Sequence, residues 1–544
     1  MFFLGNPSGH DFRFHLESWI DVAQQWRQGI FFPRWAEWAN WGFGEPRFIF
    51  YPPLSWLLGA AIGSILPWRM APGAFIWLAL VLAALSMWRL AREHLSEPYA
   101  IAAAIIYAIN PYQLVIVYYR SAFGELLAAA FLPLTVWSAV RLIDGESGAI
   151  LMFSLSFAAV WLSNAPAAVI TTYALVIVLV VGAAQKHTIR PLLMGGTAMA
   201  GAVSLAAFYI LPAAWEQKWV QIKQAVLESL QPSSNFLFTR TTDPDFAAFN
   251  WKISWVATGI IAATLLAILM TLRKRTGSTL RWILAALAAI SVFLMLRPSL
   301  PLWRSVPKLW FIQFPWRWLG VLGLALAFFV AFALQGLPQK FRIVAAVGVF
   351  AILATDGVVL ARKAYWDSSD IADIAALIQT DHGYEGTDEY TPLGCDRYQF
   401  PGDPDDSERP DDVSPNPAPR VAMLDSTQND LVSMVGAAAR MELWSSERKN
   451  LTVHTNRMIT LAPRLVGYPA WEVQINRRSV NPELRSGTQQ ILLPIPPGSY
   501  HIEIRFRRTW DRKLGGAISI FTAALMSSFL WVKRMWQTGA PVSD

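Results

Sequence analysis

The most regular feature of this sequence is a series of apolar runs, each close to the length a helix needs to cross a bilayer of about 30 Å. They predict helices at roughly 71–91, 98–119, 124–143, 149–163, 166–184, 191–212, 253–272, 281–297, 317–335, 341–361 and 514–533, about eleven spans in all. Upstream of the first run the pattern changes. Phe12, Leu16, Trp19, Ile20, Ala23 and Trp26 recur at helical spacing, with Arg13, Glu17, Asp21, Gln24 and Gln28 opposite them. This predicts an amphipathic helix over 12–28 lying along a membrane surface. Residues 31–56 are aromatic and broken by Pro and Gly, and 52–67 are apolar but short, so both are expected at the interface or in a re-entrant turn. Residues 401–419 are acidic and Pro-rich and read as a disordered loop. From about 437 the period becomes two. Trp471, Val473 and Ile475 alternate with Glu472 and Gln474, and Tyr500, Ile502, Ile504 and Phe506 alternate with His501, Glu503 and Arg505. Such alternation predicts strands, here a β-sandwich of about 75 residues.

The expected fold is therefore an α-helical integral membrane protein with an extracytoplasmic β-sandwich before its last helix. Four regions follow: an outer surface loop with amphipathic and re-entrant helices (1–70), a transmembrane helical domain (71–361), an extracytoplasmic domain (362–513), and a final transmembrane helix with a cytoplasmic tail (514–544).

Composition agrees. The 544 residues are 54% hydrophobic and 15% charged, against about 25% charged in soluble proteins. The 26 Trp suit membrane–water boundaries. A single cysteine, Cys395, excludes an internal disulfide framework. The net charge of +7 does not point to nucleic acid, because the clustered basic residues sit between apolar runs. Arg89, Arg92, Lys186, Arg190, Arg273, Lys274, Arg275, Arg281, Lys340, Arg342, Lys533 and Arg534 all fall on one side if the first span runs inward. The positive-inside rule makes that side cytoplasmic and the C-terminus cytoplasmic. Arg362 and Lys363 depart from the rule but open a large domain, where it is weak. The N-terminus is then outside with no helix before it and no cleavable signal peptide, and a start codon placed too late, with a first helix missing, is the expected reason.

No GxGxxG, Walker loop, HExxH or paired CxxC is present. Chemistry must come from polar residues at the outer face. In GHDFRFH (9–15), Asp11 opens the surface helix. It reads as a general base for an acceptor hydroxyl or as a helix N-cap. His10 and His15 could join it as metal ligands, though the pattern is a weak one. In YYRSAFGEL (118–126), Arg120 and Glu125 lie at a membrane boundary, where ionisable residues are costly unless functional or paired structurally. In LWRSVPKLWFIQFPWRWL (302–319), Arg304, Lys308 and Arg317 are basic where the orientation rule expects few cations. They suit a lipid phosphate or snorkelling anchors in an aromatic belt. Asp356 lies inside a span or near its outer end.

GHDFRFHLESW, GIFFPRWAEWANWGFGEPRFIFYPPLSWLL, PYQLVIVYYRSAFGELLAAAFLPL, SVPKLWFIQFPWRWL and GYEGTDEYTPLG (383–394) together resemble bacterial membrane proteins labelled 6-pyruvoyl-tetrahydropterin synthase-related domain. Despite the label, no residue pattern here suggests pterin chemistry. That family resembles the GT-C glycosyltransferases and the YfhO-type proteins. The resemblance implies a GT-C-like helix arrangement in the bacterial cytoplasmic (inner) membrane. It implies transfer of a sugar from a polyprenyl-phosphate donor to an envelope acceptor at the outer face. Asp11 matches the position of the catalytic Asp, Glu125 that of a second acidic residue, and Arg120 and Arg317 are the candidates for holding the donor phosphate. No cofactor is implied, and a divalent metal is compatible with the chemistry without being required. Membrane lipids, the polyprenyl-phosphate sugar and the acceptor are the expected partners, with no nucleic acid. Ser163 stands where the family pattern has His before Asn164. The alternative function is non-enzymatic, in envelope assembly or the handling of lipid-linked glycans.

Overall fold

The computed structural model describes residues 5–146, 148–241, 243–272, 278–367, 370–400, 417–425 and 437–538. The basic trio Arg273, Lys274 and Arg275 and most of the acidic segment, 401–416, lie outside the described residues.

Each of the eleven expected segments is helical, but fewer are straight spans. Among the described residues, seven helices are long and apolar enough to cross a membrane, or nine if each of two bent pairs counts as one span. Two bent helices, one short helix and the last helix make up the difference from eleven. Arg190–Leu205 turns by 74° into Ala207–Trp219, and Thr279–Leu294 turns by 91° into Arg297–Ser305. Ala149–Ser163 has 15 residues, a rise of about 22 Å, short of the hydrocarbon thickness. The last expected span, 514–533, lies within the helix Trp510–Thr538, whose C-terminal side chains are outside the described residues.

The straight helices have two chemically different ends. At one, the Glu93 carboxylate gathers Arg89 (2.8 Å) and Arg141 (3.1 Å). The Ser96 amide there donates to Gln335 at 3.0 Å. At the other end gather residues 6–67, the turn at 120–123, the segment 297–318 and the strand region. Asn6–Pro7 pairs antiparallel with Trp366–Asp367 at this end.

The amphipathic helix is present as Phe12–Arg27. Its apolar side packs inward, with Trp19 stacked on Phe75 at 5.0 Å between ring centroids. Its polar side is only partly open to water: Arg13 and Gln28 are exposed, but Glu17 and Asp21 are buried, as is Gln25 beside them. Partners from distant sequence cover it. Arg47 reaches Glu45 (2.6 Å) and Glu17 (3.6 Å), and the Tyr384 hydroxyl donates to Asp21 at 2.7 Å. Residues 52–67 form the helix Pro53–Ile65 against this element, with Gly59 under the Trp19 ring.

The strands build two antiparallel sheets. Five form one sheet in the order 437–445, 448–455, 498–506, 471–475, 478–480, with Ile504 opposite Val473 and Ile502 opposite Leu451. Four form the other in the order 421–425, 459–463, 491–495, 483–484. Sheet structure thus begins before 437, at Val421. Leu451, Val453, Val473, Ile502 and Ile504 of the first sheet share one buried cluster with Ile459, Leu461, Ile491, Leu493 and Ile495 of the second. Ile502 and Ile504 are buried and His501 and Arg505 exposed, as the alternation requires.

This region is stitched to the chain's earliest elements. Arg34 makes a bidentate pair with Glu447. Ser446 Oγ donates to Gln25 at 2.6 Å. Buried Glu216 accepts from Tyr468 and Arg512, each at 2.6 Å.

Candidate functional site

The polar centre is built where the second straight span ends. Asn110 interrupts that helix and caps its continuation, accepting from the amides of Tyr112 (3.0 Å) and Gln113 (3.2 Å). The last turn, Ile116–Arg120, is a π-helix, a form found often at functional sites. Ser121 follows in the left-handed region, φ 50°, and the next helix starts at Phe123. The reversal places Arg120 and Glu125 face to face.

Asp11 reaches the same point through close backbone approach. Its amide donates to Arg120 O at 2.8 Å. A Cβ at Gly9 would lie 2.5 Å from Tyr119 O, so only glycine permits this contact.

Four sequence candidates converge. Arg120 Nη1 lies 2.5 Å from Glu125 Oε2, and its Nη2 lies 3.4 Å from Asp11 Oδ2. Arg317 Nε lies 3.4 Å from the same Glu125 oxygen. One guanidinium therefore bridges the two carboxylates. Tyr112 completes the shell by donating to Glu125 Oε1. Trp316 lies beside Arg120, 5.1 Å from ring centroid to guanidinium. Arg317 also donates to Ile312 O at 2.7 Å and to Gln313 at 3.1 Å. Two carboxylates and two guanidinium groups balance to zero charge. Only the Asp11 side chain is substantially open, at 40% exposure against 5–9% for the other three.

Asp11 precedes the helix Phe12–Arg27, yet its side chain makes no capping hydrogen bond. The carboxylate points to Arg120 instead.

The metal alternative for His10, Asp11 and His15 is not realised. Among the described residues no group of three or more His, Cys, Asp or Glu is arranged to hold an ion. His15 turns into aromatic surroundings, 5.1 Å from Phe123 and 5.7 Å from Tyr51, with both ring nitrogens unpartnered. Burial pushes its pKa down to about 4. His10 is lowered for the same reason, so both imidazoles are neutral at pH 7.

Arg304 and Lys308 do not join Arg317. They stay exposed on the segment 300–308, while Arg317 is buried. Asp356 is half-buried in Gln339–Lys363, a helix with one buried residue, Leu353. The sequence reading missed Tyr112, Trp316 and Lys252. Lys252 is exposed beside His10, with its ammonium 5.6 Å from the Tyr119 ring. Its signal was a lysine at the outer end of an apolar run. Tyr112 and Trp316 gave none, since aromatic residues are common at every boundary here.

A cavity of about 30 Å³ lies against Glu125, Tyr112 and Arg317, room for one or two waters. A bound substrate fills a few hundred Å³, more than this cavity offers.

The family described as 6-pyruvoyl-tetrahydropterin synthase related domain, a membrane protein, matches residues 48–363, more than half of the chain. Arg120, Glu125 and Arg317 lie within the match and Asp11 before it. Two solved structures from Archaeoglobus fulgidus are similar in part. One is the archaeal oligosaccharyltransferase AglB in complex with an inhibitory peptide and a dolichol-phosphate, at 14% identity and TM-score 0.37, covering 68% of this chain and 52% of that one. The other is an oligosaccharyltransferase in complex with Zn and sulfate, at 15% identity and TM-score 0.32, covering 65% and 49%. The chain spans about half the length of either, and at that similarity neither fixes a correspondence of residues. No curated protein matches the chain.

Proposed function

The chain belongs to the 6-pyruvoyl-tetrahydropterin synthase related family of membrane proteins, and from that premise we propose that it is a GT-C-like glycosyltransferase. It transfers a sugar from a polyprenyl-phosphate donor to a hydroxyl of an envelope acceptor, at the outer face of a bacterial inner membrane, with its C-terminus cytoplasmic. One observation carries the reading: the Asp11 carboxylate leaves its own helix uncapped and is presented, half-open, on the buried guanidinium of Arg120.

In the reaction, the acceptor oxygen attacks the anomeric carbon from the face opposite the phosphate. The bond from that carbon to the phosphate oxygen breaks, its electron pair leaves with the polyprenyl phosphate, and the configuration inverts. The acceptor proton passes to Asp11 as general base. Protonation removes one negative charge from a cluster that was neutral, so Arg120 becomes uncompensated as the leaving phosphate gains charge. Arg120 and Arg317 then supply the electrostatic stabilisation, with Lys252 at the rim. Glu125, held by both arginines and Tyr112, positions the guanidinium groups rather than moving a proton. No resident cofactor enters these steps.

The test is a radiolabelled polyprenyl-phosphate-sugar transfer assay on the full chain in lipid nanodiscs. Asp11→Asn is expected to lower the rate by at least about 100-fold with expression and melting unchanged. Wild-type rates in Asp11→Asn would remove the assignment.

A non-enzymatic reading, in envelope assembly or the handling of lipid-linked glycans, is favoured by the small cavity at Glu125. Retained binding of polyprenyl phosphate with no transfer from any polyprenyl-phosphate sugar would select it.

A further inference from the structure

A second cavity, larger than the one at Glu125, lies away from the charge cluster. It is a cleft of about 380 Å³ at the far end of the helix Phe12–Arg27, between that helix and Asp370–Gln379. From Asp11 to Gln24 along the helix axis is about 20 Å, so the two sites are separate.

The cleft wall has a mixed character. Trp38 supplies an aromatic surface, Gln24 and Gln379 supply amides, and Arg27, Asp381 and Arg420 supply charge. Asp381 is held in the left-handed region, φ 63°. Arg420 and the buried Arg464 each reach its Oδ2 at 2.8 Å. Arg464 Nη1 also donates to Asp381 O at 2.8 Å and Ala418 O at 2.9 Å, which fixes the wall from behind. Arg464 Nε is buried without a hydrogen-bond partner. Arg27 is exposed and donates to Gln24 Oε1 at 3.3 Å. Among the described residues it meets no carboxylate. Of the charges lining the cleft, Arg27 and Arg420 against Asp381 leave one positive charge in excess.

Such a wall is unlike the apolar lining of most small-molecule pockets. The apolar floor formed by the buried Trp38 and Ile378 suits the C–H face of a sugar ring, and amides and fixed carboxylate–guanidinium pairs offer the donors and acceptors that hydroxyl groups need. The charge excess selects a sugar bearing an anionic group, which an arginine binds bidentately. We propose that this cleft binds an acidic oligosaccharide, a uronate-containing glycan being the class, several sugars away from the reacting end. The proposal rests on the glycosyltransferase reading for its biological sense but not for its measurement.

The test uses the full chain in nanodiscs and isothermal titration calorimetry with tetragalacturonate, maltotetraose and inorganic phosphate as probes. Tetragalacturonate is expected to bind, with maltotetraose at least tenfold weaker. The affinity is expected to fall at 0.5 M NaCl. Arg27→Ala and Gln379→Ala change exposed residues and leave folding intact. Arg27→Ala is expected to weaken tetragalacturonate at least fivefold, and Gln379→Ala to weaken both saccharides. No saccharide binding, equal binding of the acidic and neutral probes, inorganic phosphate displacing tetragalacturonate at equal concentration, or affinity unchanged by both variants would each overturn the proposal. Binding without transfer activity would keep the cleft and remove the proposed reaction. Transfer without saccharide binding would do the reverse.

Discussion

Glu125 receives two arginines and a tyrosine at once, and that saturation decides what its loss would do. Glu125→Gln leaves two buried guanidinium groups facing each other with no carboxylate between them. Removing one partner of a buried ionic group costs roughly 3–5 kcal/mol, so the variant is expected to melt well below wild type. Asp11→Asn, at a half-open position, is expected to melt with wild type. A thermal scan of the two in detergent checks the contrast. A second consequence lies in the buried polar side of Phe12–Arg27. Burial pushes Glu17 and Asp21 each up to about 7, against attractive contacts from Arg47 for the first and from Gln25 and Tyr384 for the second. The folded state thus holds protons that the unfolded chain releases between about pH 4 and 7. Stability from these groups is full below that window and falls as pH rises through 7, by on the order of 3–4 kcal/mol for each group. Amide exchange in this helix is expected to be slower at pH 5 than at pH 8 after correction for intrinsic rates, and Asp21→Asn should flatten the difference. The site candidates were legible because ionisable residues at a membrane boundary break a compositional rule. The burial of Glu17 and Asp21 was not, because the groups that cover them, Arg47 and Tyr384, carry no local sign of where they fold.

At the scale of elements, apolar run length located every long helix between 71 and 361 but not the short ones, such as Leu300–Ser305, that follow a turn. The bend near Ala206 falls inside an apolar run with no break in the pattern, whereas the one near Met295 falls at the end of its run, before Arg297 and Pro298. The strands were read from their alternation, and they show the same inward residues. Ile504→Ala, in the shared core of the two sheets, is expected to cost about 2–5 kcal/mol, read by the loss of native fluorescence in urea. Strand Val421–Asp425 was missed because its sequence, VAMLD, has no apolar–polar alternation. Orientation is a separate matter from element identity. Ser479 and His187 are both exposed, on the strand region and at the Glu93 end of the bundle respectively. In intact cells a membrane-impermeant maleimide is expected to label Ser479→Cys, and to label His187→Cys only after permeabilisation. The native Cys395 is buried and should stay silent in both. The reverse pattern would invert every assignment of face.

For the whole molecule, the informative fact is how far apart in sequence the neighbours are. Tyr384 bonds Asp21 across 363 positions and Arg34 bonds Glu447 across 413. No local pattern encodes such pairs, which is why the sequence showed the membrane region and the strand region as successive units and not as one clamp around the first helix. A ribosome adding about 5–20 residues per second needs roughly 20–70 s to pass from Asp21 to Tyr384. Through that interval the nascent helix has two acidic groups and an arginine partner in no finished enclosure, so it waits, hydrated or escorted. Pulse-chase proteolysis is expected to cut near Gln24 in every chain arrested before Tyr384 emerges and to spare it once Glu447 has followed. An element synthesised early is in this way among the last to become permanent, and a ribosome that stalls midway releases a product that looks inserted but is open to degradation.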